Sequence, residues 1–269
     1  MAKILDGKKL NAELAIKLAR KIKLLKVKPK LVIIQVGDLP SSNTYIKRKK
    51  LFAEKIGALA EHKKLNSRTS EKKLINTIYK YNNDRSVHGI IVQLPLPRHI
   101  DVKNIVESID YKKDVDGFRG NFIPATTLGI LTLLEKYRVN VSGKRVVVIG
   151  RSNLVGKPTA IALLNRNATV TMCHSKTKDL SKETRRAEIL VVAAGLPKLI
   201  SSKHVSKGQV VVDVGINTLT NKKIVGDVDF AKVHKIVKAI SPVPGGVGPM
   251  TIVSLFQNLL QAYELQRKF

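Results

Sequence analysis

Six short, almost unbroken apolar runs recur along the chain: 31–36 (LVIIQV), 89–94 (GIIVQL), 146–149 (VVVI), 168–173 (ATVTMC), 189–194 (ILVVAA) and 210–214 (VVVDV). Runs this short and rich in valine and isoleucine predict strands covered on both faces, as in a parallel sheet. Between them, apolar residues fall at helical spacing over 10–25, 45–56 and 159–164, with a connecting helix expected over 128–137. Alternation of strand and helix predicts an α/β fold with mainly parallel sheets. Segment 241–249 (SPVPGGVGP) is too rich in proline and glycine for regular structure. A final amphipathic helix is expected from Pro249, through Leu255, Phe256, Leu259 and Leu260, with the proline in its first turn. Ser42 is read as the cap of the helix that carries Tyr45.

At 269 residues the chain has room for two domains, and the boundary is expected between Phe118 and Gly143. An apolar fraction of 43% excludes a mainly disordered chain, and no run is long enough to predict a membrane-spanning helix. The opening residues are charged, without the apolar stretch of a secretory leader, and Cys173 is the only cysteine. A cytoplasmic protein is the expectation. The formal charge of +29 brings nucleic acid into consideration. Lysines, however, are spread from Lys3 to Lys268 and no nucleic-acid-binding module is recognisable, so a lysine-rich solvated surface is the simpler reading.

In open parallel sheets, ligands bind beyond the carboxyl ends of the strands. Most of the glycine and polar punctuation lies there, including Gly37, Gln93, Gly150, His174, Gly195 and Gly215. Gly150-Arg151-Ser152, followed by Gly156 and a helical pattern, has the strand–glycine turn–helix context of a dinucleotide site. Ser152 stands at the second glycine position and Gly156 comes one residue late, so a plain structural turn is the alternative. After the next strand come His174, Ser175 and Lys176, with no carboxylate before Asp179. A basic, hydroxyl-bearing rim favours a 2′-phosphate over a free ribose diol, hence NADP.

Candidate chemistry in the first half rests on Tyr45, Lys49, Gln93 and Asp116. Tyr45 and Lys49 are four apart and share a helical face. Each residue has a plainer reading. Lys49 sits in a basic run (KRKK, 47–50) that suits a solvated face. Gln93 ends a buried strand, and Asp116-Gly117 is a turn signal.

The strings SNTYIKRK (42–49), VQLPLP (92–97), KDVDGF (113–118), GRS (150–152), DVGIN (213–217) and PVPGGVGPMT (242–251) together resemble the bifunctional methylenetetrahydrofolate dehydrogenase/methenyltetrahydrofolate cyclohydrolase family. The resemblance runs in register from Leu5 to the final helix. It implies an N-terminal α/β substrate domain (1–120) completed by the C-terminal helix (249–269), beside a Rossmann-like NADP domain (121–248). It implies Lys49 as proton carrier, Gln93 as its orienting partner, Tyr45 stacked on the folate and Asp116 holding the pterin. Leu94, Pro244 and Gly245 join the folate contacts; Gly150, Arg151, Ser152, Gly156, Ser175 and Ile216 fall to the cofactor, and no metal is called for. A tetrahydrofolate substrate, with or without a polyglutamate tail, and a homodimer are further implications. The chain departs from the family pattern at Pro124-Ala-Thr-Thr127 and in a shortened 118–124 segment. Two rivals remain: a dehydrogenase resembling shikimate dehydrogenase, and a basic nucleic-acid-binding protein.

Overall fold

The computed structural model describes residues 1–220 and 223–267. In chain order the elements are β1 (Lys3–Ile4), α1 (Gly7–Lys23), β2 (Lys30–Val36), α2 (Pro40–Ile56), β3 (Leu59–Leu65), α3 (Glu71–Asn83), β4 (Gly89–Val92), α4 (Val102–Ser108) and α5 (Ala125–Lys136). There follow β5 (Arg145–Ile149), α6 (Gly156–Leu164), β6 (Thr169–Cys173), α7 (Leu180–Arg185), β7 (Ile189–Val192), β8 (Val210–Asp213), β9 (Asn217–Thr218), β10 (Ile224–Val225), α8 (Phe230–Val233), β11 (Ala239–Ile240) and α9 (Val247–Gln266). All six expected strands form, as do the helices expected from periodicity. No helix among the described residues is long and apolar enough to cross a membrane.

The chain divides into two compact units. One comprises 13–125 and 252–269; the other comprises 1–12 and 126–251. The first contains a three-stranded parallel sheet ordered β3-β2-β4. Its core joins Val32, Ile34, Ile90 and Val92 to Leu74 and Ile78 of α3 and to Ile105 of α4. The second contains a six-stranded parallel sheet ordered β1-β11-β8-β7-β5-β6. Its core includes Val147, Ile149, Leu190, Val192, Val211 and Ile240. Central strands buried on both faces account for the unbroken apolar runs.

Two expectations need adjustment. Residues 1–12 were assigned with the substrate domain, but β1 pairs with β11, so the chain start belongs to the six-stranded sheet. Ser42 does not cap α2. Leu39 is the cap residue and Pro40 opens the helix, a position where proline's missing N–H costs nothing. Ser42 is instead buried inside the first turn, its hydroxyl directed at the Leu94 carbonyl at 3.5 Å.

Candidate active site

Within the unit built on the three-stranded sheet, α2 carries both Tyr45 and Lys49. The helix ends because Gly57 adopts a left-handed conformation and returns its N–H to the carbonyls of Ala53 and Glu54. Its inner face is set by Ile46, Phe52, Ala53 and Ile56, and Phe52 packs on Phe256 of α9 with ring centroids 5.2 Å apart. Lys49 lies one turn before Phe52 and is drawn in with it. Lys47, Arg48 and Lys50 are exposed, whereas Lys49 is half-buried. The basic run is therefore a solvated face except at the one position that counts.

Lys49 Nζ donates to Gln93 Oε1 at 3.0 Å, and Gln93 Nε2 donates to the Leu94 carbonyl at 2.8 Å. Gln93 is itself fixed because its backbone N–H continues the sheet pattern to the Ile34 carbonyl at 2.8 Å. Burial lowers the Lys49 pKa, and the negative charge of Asp116 works against that lowering. Asp116 responds in kind: burial raises its pKa and Lys49 opposes the rise. The neighbouring ammonium of Lys50 has no part in depressing Lys49. The cause is burial instead, since Lys50 is exposed and lines a separate cavity of ≈ 690 Å³ between α2 and β3. A neutral amide partner leaves the amine free to lose its proton, which a carboxylate in the same place would resist. Tyr45 is half-buried on the same helical face.

Asp116 owes its place to two residues that the sequence reading left without a role. Asp114 is buried, and its carboxylate accepts from the backbone N–H groups of Gly117 at 3.2 Å and Arg119 at 2.7 Å. Burial pushes that carboxyl up to about 6, with these backbone bonds pulling the other way. Asn258 of α9 donates through Nδ2 to the carbonyls of Val115 and Ile123, each at 2.9 Å, and so staples both ends of the turn.

In the other unit, the expected cofactor positions gather at the carboxyl rim of the six-stranded sheet. Gly150 follows β5, and a Cβ there would lie 2.1 Å from the Ala193 carbonyl oxygen, so only glycine fits this turn. Ser152 accepts through its hydroxyl from the N–H groups of Val155 at 3.2 Å and Gly156 at 3.3 Å, capping the entry to α6. Gly156 opens that helix. Arg151, Ser175 and Lys176 are exposed beside β5 and β6, and Ile216 is 45% exposed just after β8. A glycine turn at a helix N-terminus with exposed cationic and hydroxyl groups suits a phosphate-bearing dinucleotide. Pro244 and Gly245 lie in the turn after β11, where the Gly245 carbonyl accepts from Lys8 N–H at 2.8 Å.

Two family profiles match the chain: tetrahydrofolate dehydrogenase/cyclohydrolase, catalytic domain, over residues 5–116, and the NAD(P)-binding domain of the same family over residues 124–267. The chain belongs to the tetrahydrofolate dehydrogenase/cyclohydrolase family. It is 46% identical to the bifunctional protein FolD of Moorella thermoacetica over 275 residues, 97% of this chain and 98% of that one. Among solved structures it is similar to the bifunctional FolD enzyme of Campylobacter jejuni, with 46% identity, a TM-score of 0.96 and coverage of 98% and 99%. The Trypanosoma brucei FolD, solved with NADP cofactor and inhibitor, matches with 31% identity and a TM-score of 0.94, covering 100% of this chain and 99% of that one. Shikimate dehydrogenase from Aquifex aeolicus shares 15% identity at a TM-score of 0.54, a likeness of fold alone. The folate family, rather than that rival, accounts for the chain along its length.

Proposed function

We propose that this protein oxidises 5,10-methylenetetrahydrofolate to 5,10-methenyltetrahydrofolate with NADP⁺ and then hydrolyses the product to 10-formyltetrahydrofolate. The observation that carries the reading is an inward-facing Lys49 hydrogen-bonded to a neutral Gln93, in a chain of the bifunctional family from end to end. NADP⁺, when bound, supplies the hydride acceptor. Hydride loss leaves a cation shared by the two nitrogens flanking the one-carbon bridge, so this step depends on alignment more than on an acid or base. Water attack on the bridge releases a first proton; C–N cleavage then needs a second at the departing nitrogen, while the adduct's hydroxyl gives up its own proton to solvent as the formyl C=O forms. Lys49 is the group that takes the first and delivers the second. Burial supports this role by bringing its pKa down, while Gln93 orients the amine without fixing its charge. Tyr45 offers a ring face to the pterin, and Asp116 accepts from its amino and ring N–H groups. Leu94, Pro244 and Gly245 are the other folate-contacting positions. Gly150, Arg151, Ser152, Gly156, Ser175 and Ile216 are those of the cofactor.

The reading extends to assembly and surroundings. The protein is assigned to the cytoplasm, in keeping with its single cysteine, and to a homodimer, which is supported by β3, a sheet-edge strand that leaves backbone groups open to pairing, with Leu51 54% and Leu59 53% exposed beside it. A polyglutamate tail on the folate fits the charge of +29. The activity is tested by incubating the protein with NADP⁺ and 5,10-methylenetetrahydrofolate, then with NAD⁺, and by supplying prepared methenyl substrate alone. NADPH formation and cofactor-independent hydrolysis are expected. A chain that forms neither NADPH nor formyl product overturns the proposal.

A further inference from the structure

Two buried aspartates hold the turns that leave β7 and β8 at the carboxyl rim of the six-stranded sheet. Asp213 closes β8 and is 3% exposed. Its Oδ1 accepts from the N–H groups of Gly215 and Asp227, each at 3.0 Å, and its Oδ2 accepts from Val228 N–H at 3.0 Å. Asp227 is wholly buried and takes a different set of donors. Its Oδ2 accepts from the N–H groups of Ala194 at 2.7 Å and Gly195 at 2.9 Å, and its Oδ1 accepts from Asn217 Nδ2 at 2.8 Å. The backbone is drawn tightly onto both carboxylates. A Cβ on Gly215 would fall 2.2 Å from Asp227 Oδ1, and one on Gly226 would fall 1.9 Å from Asp213 Oδ2.

A sheet needs no buried charge to be stable, and sinking two carboxylates costs free energy even when each is hydrogen-bonded. Burial pushes the Asp213 carboxyl up to about 7 despite its three backbone donors. What the pair achieves is local. It ties 194–195 to 227, 227 to 213 and 213 to 215, so that the two turns cannot move independently. Those turns expose Leu196 (54%) and Ile216 (45%) at the rim where ligands of parallel sheets bind. Exposed apolar side chains on rigidly anchored turns form a preset surface for a ring-bearing ligand, and preorganisation is what such a surface contributes to binding.

We propose that Asp213 and Asp227 are positioning residues for the cofactor, a linked carboxylate clamp that fixes turns 194–196 and 215–217 in the shape NADP binds. The inference rests on the dehydrogenase reading only for its kinetic arm. The test compares the wild-type chain with Asp227→Ala and Asp227→Asn. Measurements are the NADP⁺ Kd by calorimetry, the NADP⁺ KM, hydrolysis of methenyltetrahydrofolate without cofactor, and amide hydrogen exchange without ligand. Asp227→Ala removes all three acceptor contacts. It should raise the NADP⁺ Kd and KM roughly tenfold, the loss expected for charged hydrogen bonds, while hydrolysis stays within about threefold of wild type. Exchange should quicken at 194–195 and 215–217 and hold in the central strands. Asparagine keeps one oxygen for Ala194 and Gly195, and its amide can donate to a rotated Asn217, so Asp227→Asn should recover to within about threefold. The clamp is overturned if Asp227→Ala binds NADP⁺ as wild type does. It is equally overturned if binding and hydrolysis fall together without recovery in Asp227→Asn, which would mark a pair needed only for folding. A wild-type chain that binds NADP⁺ but catalyses neither reaction overturns the functional reading instead, and the Kd and exchange arms still decide the clamp.

Discussion

Lys49 shows how one side chain in a basic run can differ from its neighbours through direction alone. The helical register that exposes Lys47, Arg48 and Lys50 turns Lys49 toward Phe52 and Gln93, and burial then lowers its pKa. Replacing Lys49 by methionine keeps the length and removes the proton carrier. Cyclohydrolase activity should fall by about 10²–10⁴-fold while hydride transfer stays measurable; equal loss of both would remove Lys49 from its hydrolytic role. The neutrality of Gln93 can be tested separately. In Gln93→Glu a carboxylate would stabilise the ammonium and raise the Lys49 pKa, so a smaller fraction is neutral at any given pH. The alkaline pH needed for hydrolysis should therefore move up by about one unit or more. A rate profile unchanged from wild type would show that the amine's protonation does not govern the step.

The elements that present these residues were legible to different degrees. Strands β2, β4, β5, β7 and β8 were readable because burial on both faces leaves nearly continuous apolar runs, and the edge strand β6 because of its β-branched residues Thr169, Val170 and Thr171. Strand β3 (LAEHKKL) was not, because this edge strand has half-buried Glu61 and His62 and exposed Lys63 and Lys64 at its centre and so carries no such run. Strands β1 and β11 have two residues each, too few for any periodic signal. Helical spacing joined Tyr45 to Lys49, but nothing local connected either with Gln93 or Asp116; only the family resemblance did. Asn258 and Asp227 went unassigned because their work is to bind backbone groups 135–143 and 32–33 residues away. The Asn258 contacts predict that Asn258→Ala leaves the Val115 and Ile123 carbonyls unpaired and frees the Asp116 turn. Stability should fall by about 1–3 kcal/mol, and the folate KM should rise with little change in the NADP⁺ KM. Matched increases in both constants would argue for a general loss of packing.

For the molecule as a whole, charge and edges matter more than any single contact. A net +29 should draw in a polyanionic folate tail, and salt screens such attraction. Raising ionic strength should weaken binding of a polyglutamate substrate more than that of the monoglutamate; an equal response would leave the charge without a part in substrate capture. If β3 pairs across a homodimer, sedimentation should report twice the 29.7 kDa chain mass. Leu59→Lys should then shift that species toward monomer; a wild-type chain that sediments as a monomer would sink the assignment. The unit that carries Lys49 is discontinuous, with 13–125 completed by 252–269. During synthesis on the ribosome, Asp116 emerges more than a hundred residues before Asn258, which holds its turn. The folate-binding half therefore cannot mature as soon as residues 13–125 have been made; it must wait, unfinished, for 252–269 to follow the whole of the other unit off the ribosome.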